Sequence, residues 1–362
     1  MTVGNKTINF NTPVELGDVP NLIATIGHHR TILLRGEPGI GKSTVLKHLE
    51  TVMGKDYDYI YADCPVLDVS DVVMRIPNHE TKSLESYVSE LFRLANPKPK
   101  IIMLDEISKA NKLLQVIFTR LMLERTVGDV KLPAGSIVFA TGNNSSDGVG
   151  DTLSAHVLNR LCVINVRKPD AKRWGVWATD NNISRIVRAW VAMNPSCLAS
   201  YLDGGQEQNP YIFDPAKPIT SFVTPRSLVG ASEVANNANK LGQYVTQAAM
   251  AGLCGGAFAE SIAAFMSMEK EWVKVQDILA DPENIQIPER PAVLFHAMFS
   301  AVDVIETQDE LTAFMKFVAR IKSEEVQNCF YSMAFESKRT ARLARNNNEM
   351  RQWGMKNIEL LV

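Results

Sequence analysis

The sequence contains no run of about 18 consecutive apolar residues, the length that a bilayer-spanning helix requires, and no apolar h-region follows Met1. The Ala/Gly-rich stretch Ala248–Met266 comes closest, but Glu260 and several polar residues interrupt it, so it reads as a packed helix. No C-x-x-C pair occurs. The five cysteines (Cys64, Cys162, Cys197, Cys254, Cys329) are scattered and odd in number, which excludes a zinc or disulfide framework and fits a reducing compartment. Cys64 and Cys162 adjoin apolar runs and read as small core residues. The six histidines show no ligand spacing, so no structural metal is expected. Charge of one sign is also missing. Lys and Arg total 38 against 40 Asp and Glu, a net charge of -2, which argues against coating nucleic acid by bulk charge. Low-complexity tracts and repeats are absent. With 362 residues, 46% of them hydrophobic, the chain is long enough for two or three domains with ordinary cores. A cytoplasmic protein without a membrane span is expected.

Against these absences stands Thr31–Val45, which reads as a buried strand, a glycine-rich turn and the start of a helix. Gly36, Gly41, Lys42 and Ser43 fit the phosphate loop G-x-x-x-x-G-K-[ST]. Glycines let backbone N–H groups turn toward phosphate oxygens without a Cβ in the way, and the following helix start adds partial positive charge. Lys42 is placed for the β- and γ-phosphates and the Ser43 hydroxyl for Mg²⁺. Glu37, Pro38, Gly39, Ile40 and Thr44 complete the candidate cofactor-binding loop.

In chain order, a polar lead-in over residues 1–20 gives way to a short helix at Val19–Ile26. Strands are expected at Ile32–Leu34, Tyr57–Cys64, Ile101–Leu104, Ser136–Thr141 and Cys162–Val166, with amphipathic helices between, the pattern of a parallel α/β sheet. Val69–Ile76 and Leu84–Leu94 have helix-like spacing, and Glu124–Pro133 carries a Val-Gly-Asp turn suited to a hairpin. Past Lys168-Pro169-Asp170 no strand-like run of good length appears. Ala171–Met193, Pro225–Ala251, Phe258–Val275 and Ala292–Arg345 read as helical, while Tyr201–Thr224 is loop-like. Trp174 and Trp177, at i and i+3, are expected to pack within this region. Lys338, Arg339, Arg342, Arg345, Arg351 and Lys356 make the tail basic, read here as a solvated helix face.

The partners of the phosphate loop decide its chemistry. Asp105 and Glu106 follow four apolar residues, at the strand end where doubly wound sheets place their ligands. Asp105 is suited to hold Mg²⁺ and Glu106 to polarise an attacking water; an acidic pair opening a helix is the plainer alternative. Asn143 ends the next strand, where an amide can hold the same water, although a turn after a strand also favours Asn. Arg160 lies just before the last strand, either an arginine finger for a neighbouring subunit or a surface arginine. Arg226 opens a helix after a proline turn. Arginine is disfavoured by the dipole there, so either an anionic partner or a nearby acid explains it.

Taken in order, Gly-Glu-Pro-Gly-Ile-Gly-Lys-Ser, Leu-Asp-Glu-Ile, Ala-Thr-Gly-Asn, Leu-Asn-Arg-Leu and Thr-Pro-Arg-Ser resemble the Walker A, Walker B, sensor 1, arginine-finger and sensor 2 motifs of AAA+ ATPases. Within that superfamily the chain resembles the MoxR branch, the dynein-related AAA type of bacteria and phages, over residues 20–270. The resemblance implies a P-loop NTPase core with a parallel five-stranded sheet flanked by helices (residues 1–168), an all-α lid with sensor 2 (169–275) and a helical C-terminal extension (276–362). It implies ATP and Mg²⁺ as cofactors, with Lys42 and Ser43 on phosphate and metal, Asp105 supporting Mg²⁺, and Glu106 activating water. Asn143 would orient that water, Arg160 act in trans, and Arg226 contact the γ-phosphate in cis. A ring homo-oligomer, usually a hexamer, follows from a finger that completes a neighbour's site. Insertions near Pro65–Leu94 and Arg125–Pro133 would face the pore, with Met74, Ile76 and Pro77 as weak pore-loop candidates. Relatives often work with a von Willebrand factor A domain protein. One departure is Asn143-Asn144-Ser145, where many relatives have Asn-Pro.

The expectation is therefore an ATP-driven motor that remodels a protein client or complex, in the cytoplasm of a bacterium or of a phage's host. The alternative is a nucleic-acid-dependent ATPase, a helicase or loader, which would need a basic channel; the balanced net charge argues against one without excluding a local basic patch.

Overall fold

The computed structural model describes residues 13–143, 153–217 and 221–360. Residues 1–12 of the lead-in, the Asn144-Ser145 departure and residues 218–220 of the Tyr201–Thr224 loop lie outside the described residues. The chain divides into two compact units, one ending at Lys168 and the other beginning at Pro169.

The strands of the first unit are β1 (Ile32–Arg35), β2 (Asp58–Asp63), β3 (Val73–Asn78), β4 (Ser83–Val88), β5 (Lys100–Asp105), β6 (Thr126–Val127), β7 (Val130–Lys131), β8 (Ile137–Gly142) and β9 (Cys162–Asn165). Its helices are α1 (Val19–Ile26), α2 (Val45–Met53), α3 (Lys112–Glu124) and α4 (Ala155–Leu158). Five strands form one sheet in the order β2-β5-β8-β1-β9, and every pairing in it is parallel. Alternation along the strands explains why the sheet is covered on both faces. Ile32, Leu34, Ile101, Met103, Ile137 and Phe139 bury one face against Val19 and Ile23 of α1 and Val45 and Leu49 of α2. Leu33, Ile102, Leu104, Val138 and Ala140 bury the other against Leu114, Phe118 and Leu121 of α3. Central strands with two buried faces must be apolar throughout, and β5 and β8 are buried at every position.

The polar start of β5 is an exception with a partner. Lys100 has a fully buried side chain whose Nζ lies 2.5 Å from Asp58 Oδ2 on β2 and donates to the Asn96 carbonyl at 2.8 Å. Asn96 Nδ2 donates to the same carboxylate at 2.9 Å, so the buried charge is paired and hydrogen-bonded.

The helix-like spacing of Val69–Ile76 and Leu84–Leu94 forms no α-helix, only 3-10 turns at Val69–Asp71 and Glu90–Phe92. The segment is an antiparallel hairpin, β3 against β4, with Val73 opposite Val88 and Asn78 opposite Ser83. Met74, Ile76, Leu84 and Tyr87 are exposed on it while Val73 and Val88 at its base pack against the core, so cross-strand pairing rather than a helical apolar stripe decides the local structure. The expected turn near Val127-Gly128-Asp129 is a hairpin, β6 with β7.

The second unit is helical: α5 (Ala171–Asp180), α6 (Arg185–Met193), α7 (Pro225–Asn236), α8 (Ala238–Leu241), α9 (Gln243–Cys254), α10 (Gly256–Met266), α11 (Val275–Ala280), α12 (Pro291–Val304), α13 (Gln308–Ala319), α14 (Glu324–Glu336), α15 (Ala341–Asn346) and α16 (Asn348–Lys356). One apolar cluster runs through it from Trp174 to Met350. The single helix expected over Ala171–Met193 is broken at Asn181-Asn182, where Asn182 takes φ +59°, a left-handed conformation that Asn tolerates and a helix does not continue through. On α5, Trp174 is buried with Gly175, Ala178 and Thr179, but Trp177 is exposed at the edge of that stripe, so only one of the two tryptophans packs as expected. Cys64, Cys197 and Cys254 are buried and Cys162 and Cys329 half-buried, all as free thiols. Among the described residues no helix is long and apolar enough to cross a membrane.

Candidate nucleotide-binding site

In a parallel sheet all strands end on one edge, and here that edge collects the expected chemistry. The loop Gly36–Gly41 leaves β1, Asp105 ends β5, and Asn143 follows β8. Glycine is required at two points of the loop. Gly41 has φ +104°, and a Cβ on Gly36 would stand 2.7 Å from Ile40 Cδ1 and 2.8 Å from the Val166 carbonyl. Ile40 is buried in the core beneath the sheet and pins the loop from below. Glu37 is buried, Pro38 and Gly39 are half-buried, and Thr44 is exposed with its hydroxyl donating to the Gly41 carbonyl at 2.7 Å. A 3-10 turn over Lys42–Thr44 then leads into α2.

Lys42 is buried, and its ammonium sits inside the curve of the loop. It donates to the carbonyls of Gly36 at 2.7 Å and Glu37 at 2.9 Å and to Asn143 Oδ1 at 3.2 Å. The last bond ties β1's loop to the residue after β8 and puts the two candidate phosphate-facing groups side by side. Ser43 Oγ donates to Asp105 Oδ2 at 2.8 Å, joining the loop to β5.

Asp105 is held by two further hydroxyls that sequence reading did not single out. Tyr61 OH donates to Oδ2 at 2.8 Å, and Thr141 Oγ1 donates to Oδ1. Register explains both. β5 pairs with β8 so that Leu104 faces Ala140, which sets Thr141 beside Asp105. β2 pairs with β5 so that Tyr61 faces Met103, which makes Tyr61 the diagonal neighbour of Asp105 on the same face, within reach of a long side chain. Only the strand order, unknown from the sequence, reveals either contact. Burial, then the bond to Asp105 and the charges of Asp105, Asp63 and Glu106, push the Tyr61 phenol well above its ordinary pKa, so it stays a donor at neutral pH. The Cys64 thiol is likewise raised, chiefly by burial and then by Asp105 and Asp63, and is no nucleophile there.

Glu106 follows in the left-handed region, φ +51°, uncommon for a residue with a Cβ. Its N–H donates to Thr141 Oγ1 at 3.0 Å, so a single threonine hydroxyl binds both acids of the pair. The Glu106 carboxylate accepts from Lys109 Nζ at 2.7 Å in a partly exposed ion pair.

The structure thus gathers Gly36, Lys42, Ser43, Asp105, Glu106 and Asn143. It places Arg160 elsewhere. Arg160 lies two residues before β9, and Cys162 pairs with Ile32 at the start of β1, so this arginine is on the sheet edge opposite the loop. It is exposed and has no ion-pair partner among the described residues. Arg226 is in the second unit, exposed in the first turn of α7, where Thr224 and Ser227 form a capping box. Arg160 therefore does not join the cluster.

Solved structures similar to this chain include a candidate ATPase from Cytophaga hutchinsonii, 17% identical over 72% of this chain and 89% of that one, with a TM-score of 0.33. A RuvB point mutant from Thermotoga maritima is 13% identical over 75% of this chain and 74% of its own, TM-score 0.37. NtrX from Brucella abortus is 14% identical over 94% and 68%, TM-score 0.34. No curated protein matches the chain. The order and parallel pairing of the strands, with the phosphate loop after β1 and the acid pair after β5, give the first unit the AAA+ P-loop NTPase fold, and its residues 31–161 match the family model of the AAA domain, dynein-related subfamily.

Proposed function

We propose that the chain is an ATP-hydrolysing, Mg²⁺-dependent AAA+ ring motor of MoxR type that remodels a protein client or complex in the cytoplasm, with a von Willebrand factor A domain protein as the expected partner. The observation that carries this reading is the joined cluster at one edge of the sheet: Lys42 bonded to Asn143, and Ser43 bonded to an Asp105 that neighbours Glu106. In this reading residues 1–168 are the core, 169–275 the lid and 276–362 a helical extension.

The donors around Asp105 are oxygens only, the set that suits a hard cation, so Ser43 and Asp105 would hold Mg²⁺. Bound there, the ion would neutralise charge on the phosphates. The loop amides and Lys42 cradle the β- and γ-phosphates and would orient them. Glu106 takes a proton from the attacking water, and the Asn143 amide holds that water and senses the γ-phosphate. Arg160 lies on the sheet edge opposite the phosphate loop, which supports its acting on a neighbouring subunit's nucleotide and hence a ring, usually a hexamer. Arg226 belongs to the lid and is assigned to the γ-phosphate in cis.

The test is Glu106→Gln, which keeps the amide geometry and removes the base. ATP binding is expected to persist, phosphate release to fall ~10²–10⁴-fold, and the assembled state to retain its client for identification. Mixing Glu106→Gln with Arg160→Ala is the companion measurement. Each subunit lacks a different half of a shared site, so mixed rings are expected to regain activity. Wild-type hydrolysis by Glu106→Gln would overturn the catalytic assignment. Steep stimulation by single-stranded DNA at low salt would replace the protein client with nucleic acid.

A further inference from the structure

A cleft of about 550 Å³ opens within the second unit at the start of α6, a volume typical of small-molecule sites. Three independent features of its lining point to the same ligand.

The first is charge. Arg185, Arg188 and Arg339 surround a single carboxylate, Asp303. Arg188 is almost wholly buried and donates to Asp303 and to Thr179 Oγ1 at 2.9 Å. Arg185 Nε stands 3.9 Å and Arg339 Nη1 3.7 Å from the same carboxylate. Three guanidinium groups against one carboxylate leave a surplus of two positive charges among these four groups.

The second is a set of unpaired buried polar atoms. Arg188 Nε, Trp272 Nε1 and His296 Nδ1 are buried with no hydrogen-bond partner among the described residues. Native structures rarely leave such atoms unsatisfied, and all three belong to residues that line one cleft. The His296 ring is stacked on Trp272 at 4.2 Å with 14° between planes. Burial, then Arg185 and Arg188, push its pKa down to about 4, so the imidazole is neutral at pH 7.

The third is the helix itself. Ser184, at the N-cap of α6, makes no side-chain cap bond, and its own N–H is spent on Ser232 Oγ at 2.8 Å. The amide end of a nine-residue helix therefore faces the cleft uncapped, adding partial positive charge.

We infer that this cleft binds a small phosphorylated ligand, its phosphate gripped by Arg185, Arg188 and Arg339 at the N-terminus of α6 and its remainder lying against Trp272 and His296. A phosphate monoester carries about −1.5 to −2 at neutral pH, which matches the surplus of two positive charges. Guanidinium forks meet its oxygens bidentately. The site does not depend on the proposed ATPase and lies in the other unit from the phosphate loop.

The test uses the full chain carrying Lys42→Ala, so that binding at the phosphate loop does not mask the signal. Inorganic phosphate, adenosine 5′-monophosphate and adenosine are titrated by calorimetry and by tryptophan fluorescence. Saturable binding of an anion with none of adenosine is expected. A preference for the monophosphate identifies a phosphorylated organic ligand, and equal affinity identifies free phosphate. Arg185→Gln and Arg339→Gln, both at partly exposed positions that spare the buried Arg188–Asp303 pair, should each weaken binding ~10-fold. Trp272→Phe should lose the fluorescence response while calorimetry still reports saturable binding. Absence of binding by either anion at ~10 mM, well beyond the range of a built site, would overturn the inference. So would affinity unmoved by both arginine variants.

Discussion

Replacing Thr141 with valine exchanges one buried hydroxyl for a methyl group of similar size, and the structure sets what that costs. Thr141 is fully buried. Its Oγ1 donates to Asp105 Oδ1 and accepts from the Glu106 N–H at 3.0 Å. The valine leaves no cavity, so the loss is polar. Asp105 Oδ1 loses its donor while Oδ2 keeps Ser43 and Tyr61, and the Glu106 amide is left unpaired. At ~1–3 kcal/mol for each of these two buried groups, the expected destabilisation is ~2–6 kcal/mol. For a unit of this size, at ~2–4 °C per kcal/mol, that lowers the melting transition by ~4–24 °C. Activity should fall further than stability explains, because the same bond fixes the left-handed turn that aims Glu106, and a shift of ~1 Å in a catalytic group costs ~10²-fold. Thermal unfolding followed by circular dichroism, with phosphate release measured below the transition, reads both effects. Thr141→Ser is the control, since it keeps the hydroxyl and should retain activity while losing only a methyl contact. The reasoning is refuted if Thr141→Val melts within ~2 °C of the wild type and hydrolyses ATP at the same rate.

Two further predictions concern stability alone. Lys100→Met removes the buried partner of Asp58 at the sheet edge away from the phosphate loop; because Asp58 keeps Asn96 and some solvent, the loss should be ~2–4 kcal/mol in denaturant unfolding, with hydrolysis per folded molecule unchanged. His296, pushed down to about 4 by burial and then by Arg185 and Arg188, binds a proton more readily unfolded than folded. Stability is therefore complete above its ordinary pKa of 6.5 and is lost as pH falls from there to about 4, by up to ~3 kcal/mol; a His296→Phe variant should flatten that acid limb of the second unit's unfolding, and an unchanged limb would assign it to other groups.

What was legible in the sequence follows from which interactions are local. Ile101–Asp105 announces itself because a central parallel strand is apolar at every position and must release its acids at the ligand edge. The phosphate loop is legible because most of its constraints lie within a few residues, such as Gly36 against Ile40, although Gly36 also meets the distant Val166 carbonyl. The β3–β4 hairpin was not, since Val69, Val72, Val73 and Ile76 fall at helical intervals by coincidence and only Val72 is buried. Thr141 and Tyr61 matter solely through strand register, which no spacing along the chain encodes. The cleft in the second unit is harder still. Its charged lining comes from the start of α6, the end of α12 and the stretch before α15, and Arg339 reads in sequence as one charge of a solvated tail. In the structure it is turned toward Asp303 and Asn182.

The two acids after β5 are adjacent in sequence and opposite in how firmly they are held. Asp105 is 6% exposed and its carboxylate accepts from Ser43, Tyr61 and Thr141 on three different elements. Moving it means breaking several bonds to a charged group, each worth ~1.5–3 kcal/mol, so it stays where the sheet places it. Among the described residues the Glu106 carboxylate has one side-chain tie, the pair with Lys109, with side chains 36% and 30% exposed. Pairs of that kind contribute ~0–1 kcal/mol. Its backbone is fixed by Thr141 while its carboxylate is free to exchange partners at little cost. A group that positions a cation is best preorganised, whereas a base that must meet water only when a γ-phosphate is in place is best held loosely. In the proposed reading these tasks fall to neighbouring residues, and the threonine hydroxyl shared by Asp105 and the Glu106 amide ties the loosely held acid to the rigid one.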